Sequence, residues 1–335
     1  MNRFVVASND RALDMWEYDP QYTSVTRIKM SSDATPFHVG SMRWNPSGTH
    51  LASGMVCTGP IVGDKSCDLA ITQYTPNRDL KTTRHFTKKH SRPAYAVAWM
   101  NSCSSQQGNL VTGGDDKRVV AWMRVLETDP SVRGEGVLHE HHTSAIRSLC
   151  CPTSTSLVIS GGMDSRLISY DVVEGSLQWN LLLRNTDFHP TVNEVLEFPN
   201  SPQELLISTV DTAKSHTMFR LDRRDPHSYT SMVRWEWRRT DATKSYSVSN
   251  VPRLSPCGTY MTCAGWFNSC VYIWDTRAGR GTPMQTLSIE NAPKVAHTAW
   301  HPDSKRSVLF SLANNGTGSR SKCKSIVVHP FTTRR

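Results

Sequence analysis

Short apolar runs that close on small residues set the rhythm of this chain. Phe4-Val-Val-Ala-Ser8, Leu110-Val-Thr-Gly-Gly114, Leu157-Val-Ile-Ser-Gly-Gly162 and Met261-Thr-Cys-Ala-Gly265 are the clearest. After a polar break each is followed by an alternating run that carries an aromatic side chain, as in Leu167-Ile-Ser-Tyr170 and Val271-Tyr-Ile-Trp274. Period-two alternation predicts half-buried strands. Gly, Asn and Asp between two such runs predict tight turns, because these residues accept the positive φ that hairpins demand. The acid or amide of the break and the aromatic of the second run stand six residues apart four times: Asp10 and Trp16, Asp116 and Trp122, Asp164 and Tyr170, Asn268 and Trp274. A spacing repeated in this way predicts one supersecondary unit used many times over.

A second landmark recurs upstream of these pairs, a proline closing another apolar run, in Trp44-Asn-Pro46, Cys151-Pro152, Phe198-Pro199, Leu254-Ser-Pro256 and Trp300-His-Pro302. Proline suits a strand end, since it donates nothing to the ladder. Pro152, Pro199, Pro256 and Pro302 follow one another at 47, 57 and 46 residues, and Pro46 lies 106 before Pro152, room for two units. A period near fifty with three or four strands per unit predicts propeller blades. The landmarks divide the chain into seven units at 1–30, 36–90, 91–143, 144–190, 191–235, 246–290 and 294–335. The expectation is an all-β, seven-bladed propeller over a single domain, 1–335. The first unit starts at what would be a blade's second strand, and the last ends soon after Ser325-Ile-Val-Val-His329. One of these blades is therefore expected to be incomplete, either because it is short or because upstream sequence completes it.

The pattern resembles the WD-repeat family over nearly the whole chain. Trp274-Asp275 carries the dipeptide itself and Tyr170-Asp171 is a near copy. In that family a junction His, a strand Ser or Thr, the turn Asp and the strand Trp form a buried hydrogen-bond network. The resemblance implies two such networks here, His90, Thr112, Asp116 and Trp122, and His142, Ser160, Asp164 and Tyr170. The same residue types invite a hydrolase reading. A triad needs an exposed nucleophile and oxyanion donors beside it, and the sequence supplies neither.

Composition narrows the picture further. Ten Trp and nine Phe supply packing area for a large core. No apolar run reaches the ~18 residues a membrane helix needs. The N-terminus enters a strand directly, without a secretory signal's apolar core. Nine Cys, odd in number and irregular in spacing, suit a reducing compartment, so nucleus or cytoplasm is expected. Cys257, Cys263 and Cys270 lack the paired short spacing of a zinc site and read as buried thiols. The cluster His139-Glu-His-His142 reads as a blade-junction loop before it reads as a metal site. Neither metal, cofactor, membrane nor homo-oligomer is expected.

Two surfaces carry content. In a WD-repeat blade, turns between the second and third strands open on one face, and the sequence just after the third strand opens on the other. The first face should present Met163, Trp266 and Phe267 with Arg118 and Arg166 beside them, apolar and guanidinium groups in the mixture typical of binding hot spots, the alternative being that Trp266 folds inward and plugs the central channel. On the second face, Trp274-Asp275-Thr276-Arg277 is similar to the box with which substrate receptors of the cullin-4 ubiquitin ligase dock on its damaged-DNA-binding adaptor. The resemblance implies adaptor contacts by Asp275 and Arg277, and by Asp222 and Arg224 in the echo Leu221-Asp-Arg-Arg224 one blade earlier. The function expected is thus a non-catalytic interaction scaffold in a multi-subunit complex, most specifically a receptor-like subunit. A formal charge of +9 and basic runs at Lys81–Arg84, Lys88-Lys89 with Arg92, Arg234–Arg239 and the C-terminal tail keep an alternative open, an RNA- or RNP-associated scaffold. Binding of nucleic acid through Lys88, Lys89, Arg238 and Arg239 is expected to be weak and salt-sensitive.

Overall fold

The structure is a computed structural model that describes residues 3–7, 13–19, 24–30, 38–56, 69–74, 80–86, 89–100, 108–153, 155–183, 190–211, 215–231, 234–238, 251–265, 269–278, 281–290, 294–303, 308–314 and 324–330. Among these, strands form seven antiparallel sheets. The first sheet holds β1 (Arg3–Ala7), β2 (Leu13–Asp19) and β3 (Ser24–Met30). Four strands follow in each of the next five: β4 (His38–Trp44), β5 (His50–Val56), β6 (Leu69–Tyr74) and β7 (Leu80–Phe86) make the second. The third is β8 (Ala94–Trp99), β9 (Leu110–Gly114), β10 (Val119–Met123) and β11 (Gly134–His139). The fourth is β12 (Ile146–Cys150), β13 (Leu157–Gly162), β14 (Arg166–Asp171) and β15 (Ser176–Leu182). The fifth is β16 (Thr191–Phe198), β17 (Ser201–Val210), β18 (Ser215–Asp222) and β19 (Arg234–Arg238). The sixth is β20 (Arg253–Leu254), β21 (Tyr260–Ala264), β22 (Cys270–Asp275) and β23 (Gln285–Ser288), and the last is β24 (Lys294–Trp300), β25 (Val308–Asn314) and β26 (Lys324–Pro330). These are the seven units of the sequence pattern, and the first and last sheets have three strands each. The fold is that of the seven-bladed propeller class.

Within a sheet, order follows the chain, so each strand pairs with the one before it. The hairpin turns form as expected, but Lys117, Ser165 and Ser269, with φ of 71°, 63° and 57°, take the left-handed conformation at the tips between second and third strands, not the Gly, Asn or Asp of the break. The chain divides into two compact units, Arg3–Glu17 with Arg27–Val195, and Met1–Asn2 with Tyr18–Thr26 and Leu196–Arg335. In the first unit, Ala52, Leu69 and Ile71 of the second sheet pack on Val97, Leu110, Val120 and Trp122 of the third. Ile146, Leu149 and Val158 of the fourth sheet pack on Ala96, Val111 and Val119 of the third. In the second unit, Phe198, Leu206 and Met218 meet Met261, Cys263 and Trp274. Leu110, Ile146 and Trp122 are fully buried, each such aliphatic side chain contributing about 1.5–3 kcal/mol relative to exposure.

The first strand of several sheets carries a one-residue irregularity. Ala94 pairs with Gly114 and Ala96 with Gly113, which leaves Tyr95 bulged out. Ile146 pairs with Gly162 and Ser148 with Gly161, which leaves Arg147 in the same position. Close packing on glycine marks where the next such residue falls. A Cβ on Gly113 would run into Ile146, and a Cβ on Gly161 would run into Val192. Val192 therefore takes the place of Ile146, and Asn193 the place of Arg147. A bulge re-aims the side chain it carries.

Candidate functional site

Two buried polar networks sit in the first unit. His90 donates from Nδ1 to Asp116 Oδ1 at 2.9 Å, and its Nε2 lies 2.8 Å from Thr112 Oγ1. Trp122 Nε1–H donates to the same hydroxyl at 2.7 Å. An ionised carboxylate only accepts, so the ring proton lies on Nδ1 and Nε2 takes the Thr112 hydroxyl proton. Burial raises the Asp116 carboxyl, but the hydrogen bond and charge of His90, with the backbone N–H groups of Ser91 and Arg118, outweigh it and hold the group below its usual range. The second network repeats this, His142 Nδ1 to Asp164 at 3.0 Å and His142 Nε2 to Ser160 Oγ at 2.8 Å. Asp164 is held down by the same balance, burial against His142, Thr143 and Arg166.

Tyr170 corrects one expectation, for no hydrogen bond joins it to Ser160. A phenol ends in a single oxygen at the ring's far tip, whereas indole carries its N–H on the flank. The Tyr170 ring lies against His139, with centroids 5.5 Å apart. His139 Nε2 comes within 3.5 Å of the Ser160 hydroxyl, and its buried Nδ1 has no partner. Burial, then the charges of His142 and His141, push the His139 pKa down to about 3. His90, Thr112, Trp122, His142 and Ser160 are buried, and their arrangement ties turn to strand.

The second unit presents a different chemistry at the ends of its third strands. Beyond β22, Arg277 N–H donates to Asp275 Oδ1 at 2.9 Å, its Nε to Oδ1 at 3.0 Å and its Nη2 to Oδ2 at 2.7 Å. Beyond β18, Arg224 N–H donates to Asp222 Oδ1 at 2.9 Å, its Nε to Oδ1 at 3.0 Å and its Nη2 to Oδ2 at 2.5 Å. Hydrogen bonds from each Arg hold the carboxyl of Asp275 and of Asp222 below its ordinary value. The arginine side chains remain 69% and 68% exposed, so each guanidinium edge not facing its Asp is open to a partner. Arg220 links the two sheets. It stacks on Phe198 at 4.6 Å, lies 3.4 Å from Glu204 and donates from Nη2 to the carbonyl of Thr276, the residue inside the box, at 3.3 Å. Sequence reasoning passed over Arg220, which reads as an ordinary outward position of a strand.

The equivalent turn of the fourth sheet acts as an internal control. Asp171 Oδ1 accepts from Val173 N–H at 2.8 Å, the same closure of the backbone, with valine where the other two turns have arginine. Asp171 is steadied by the Ser156 hydroxyl at 2.7 Å instead. The turn therefore forms from the aspartate alone, and the arginine is an addition to it.

The other expected surface is partly described. Met163 is 39% exposed, and its sulfur accepts from Arg147 Nη2 at 3.2 Å. Arg118 is tied to Glu140 at 2.8 Å, and Arg166 donates to Asn180 Oδ1 at 2.9 Å. Trp266 and Phe267 lie outside the described residues. Of the basic positions, Lys89 pairs with Glu135 at 3.1 Å, while Lys88 and Arg239 lie outside the described residues. Cys257 and Cys263 are free thiols, and burial pushes Cys263 up to about 12. Among the described residues no group of three or more His, Cys, Asp or Glu is placed to hold a metal ion.

Residues 135–171, which contain His142, Ser160, Asp164 and Tyr170, match the family model "WD domain, G-beta repeat". No curated protein matches the chain. Among solved structures, a chain of the "Crystal Structure of Mitotic Checkpoint Complex" is similar at a TM-score of 0.64 and 16% identity, over 93% of this chain and 81% of that one. As many as 1462 chains of solved structures match, so the likeness establishes the fold and leaves the role to the residues.

Proposed function

We propose that this WD-repeat protein is a non-catalytic interaction scaffold that docks as a receptor-type subunit on the damaged-DNA-binding adaptor of a cullin-4-type ubiquitin ligase. Asp222-Arg224 and Asp275-Arg277 form the adaptor-contacting pair. The observation that carries the reading is the repetition of one clamp in consecutive sheets, set against the Asp171–Val173 turn that closes without an arginine. An exposed ion pair adds little to a fold. Two exposed arginines, each already oriented by a carboxylate, offer a partner rigid donors at reduced entropic cost. Arg220 supports the reading by bonding the carbonyl between Asp275 and Arg277.

The test is capture of the purified adaptor by the full-length chain. Wild type should retain it, and Arg224→Ala with Arg277→Ala should lose it while melting at the same temperature. Wild-type protein that never retains the adaptor would end the receptor reading.

A further inference from the structure

From Arg147 and its surroundings we infer that the bulged end of β12 and the adjoining end of β16 form a binding site for an acidic peptide, with an apolar residue beside its carboxylate. Other cations of this unit are paired with carboxylates. Arg92 lies 3.4 Å from Asp115, Arg118 lies 2.8 Å from Glu140, and Lys89 lies 3.1 Å from Glu135. Arg147 has no carboxylate partner among the described residues. Its guanidinium carbon lies over the Tyr95 ring at 4.2 Å, and Nη2 is braced by the Met163 sulfur at 3.2 Å. Half-buried, stacked and pre-aimed, it is the kind of cation that gains most from a carboxylate. Arg166, three residues beyond Met163 in the same turn, also lacks a carboxylate partner among the described residues and spends one donor on Asn180. The exposed Met163, in contact with Arg147, supplies the apolar contact.

Asn193 provides an independent observation. It holds the position on the neighbouring strand that corresponds to Arg147, is 3% exposed, and neither its Nδ2 nor its Oδ1 has a hydrogen-bond partner among the described residues. The two strands are tied beside it, with Val195 N–H donating to Ser148 Oγ at 2.9 Å. The nearest acid along β16, Glu194, is committed to Arg43 at 2.8 Å. A buried amide with donor and acceptor both unused fits a peptide unit, which offers one of each. A fold that needed only packing at this position would be served by leucine. The site thus reads a carboxylate through Arg147, an apolar side chain through Met163, and main chain through Asn193 once the peptide has displaced what covers it. It uses none of the residues of the Asp-x-Arg turns.

The experiment uses the full-length chain and two fluorescein-labelled octapeptides, capped at both ends and identical except for a central Glu-Leu-Glu or Gln-Leu-Gln. Anisotropy should show the glutamate peptide binding at least tenfold more tightly. Arg147→Gln should abolish that preference, whereas Arg118→Gln, a cation already paired, should change affinity less than twofold. Asn193→Leu should weaken binding severalfold while the melting temperature holds or rises. Four results would overturn the site: equal binding or no binding of the two peptides, equal losses in the Arg118 and Arg147 variants, a lower melting temperature for Asn193→Leu, and Arg147-dependent binding of a single-stranded oligonucleotide more tightly than the glutamate peptide.

Discussion

Gly162 lies so close to His142 that a Cβ placed on it would stand 2.6 Å from the ring's Nδ1, the atom that donates to Asp164. Gly114 meets His90 at 2.7 Å in the same manner. The small residue closing each second strand is thus a condition for the network above it. Gly162→Ala should cost about 1–3 kcal/mol by overpacking, with more where the ring is forced off its carboxylate. Gly136→Ala, on an exposed strand with nothing near the new methyl group, should be close to neutral. Urea unfolding of the two variants checks this, and equal midpoints would show that the ring moves aside freely.

Asp164 anchors the same network from the turn. Its carboxylate accepts from His142 and from the backbone N–H groups of Thr143 and Arg166. Asp164→Ala leaves His142 and Ser160 without their closing partner in a site closed to water, which should cost about 1–3 kcal/mol. An unchanged melting temperature would mean that the turn is held by other bonds.

How far the residues announced this structure depends on what each contact requires. His90, Asp116 and Trp122 were legible because a hairpin of fixed length brings them together whatever surrounds it. Tyr170 was misread because spacing records where a ring lies and says nothing of where its polar atom points. Arg224 has no Trp before it. Leu221 fills that place fully buried, and the turn beyond depends only on the Asp carboxylate and the N–H two residues on. Tyr95 and Arg147 were invisible, since period-two reading assigns them to a face and a bulge takes them off it.

The Asp171–Val173 turn supplies a substitution for the two arginines. Because valine sits there without loss of the Asp bond, Arg277→Val and Arg224→Val should keep both turns and leave the melting midpoint where it was. Circular dichroism melts of the single and double variants check this. A clear drop in either single variant would make the clamp part of the fold rather than a surface for a partner.

His216 gives the fold a dependence on acid. The ring is buried on β18, with Nε2 2.6 Å from Ser208 Oγ, and burial lowers its pKa from 6.5 to about 4. In the unfolded chain the ring takes up a proton near pH 6.5, and in the folded chain only near 4. Between those values the unfolded state binds more protons, so stability rises with pH across the window. It is therefore whole above pH ~6.5, falls as the pH drops toward ~4, and loses at most about 1.4 kcal/mol per pH unit to this one group. His139, held down to about 3, extends the decline further into acid. His216→Gln keeps a polar group near Ser208 and removes the titration, so its unfolding midpoint in urea should change less steeply between pH 6.5 and 4 than that of wild type. Parallel pH profiles for the two proteins would show that His216 is already solvated in the folded chain.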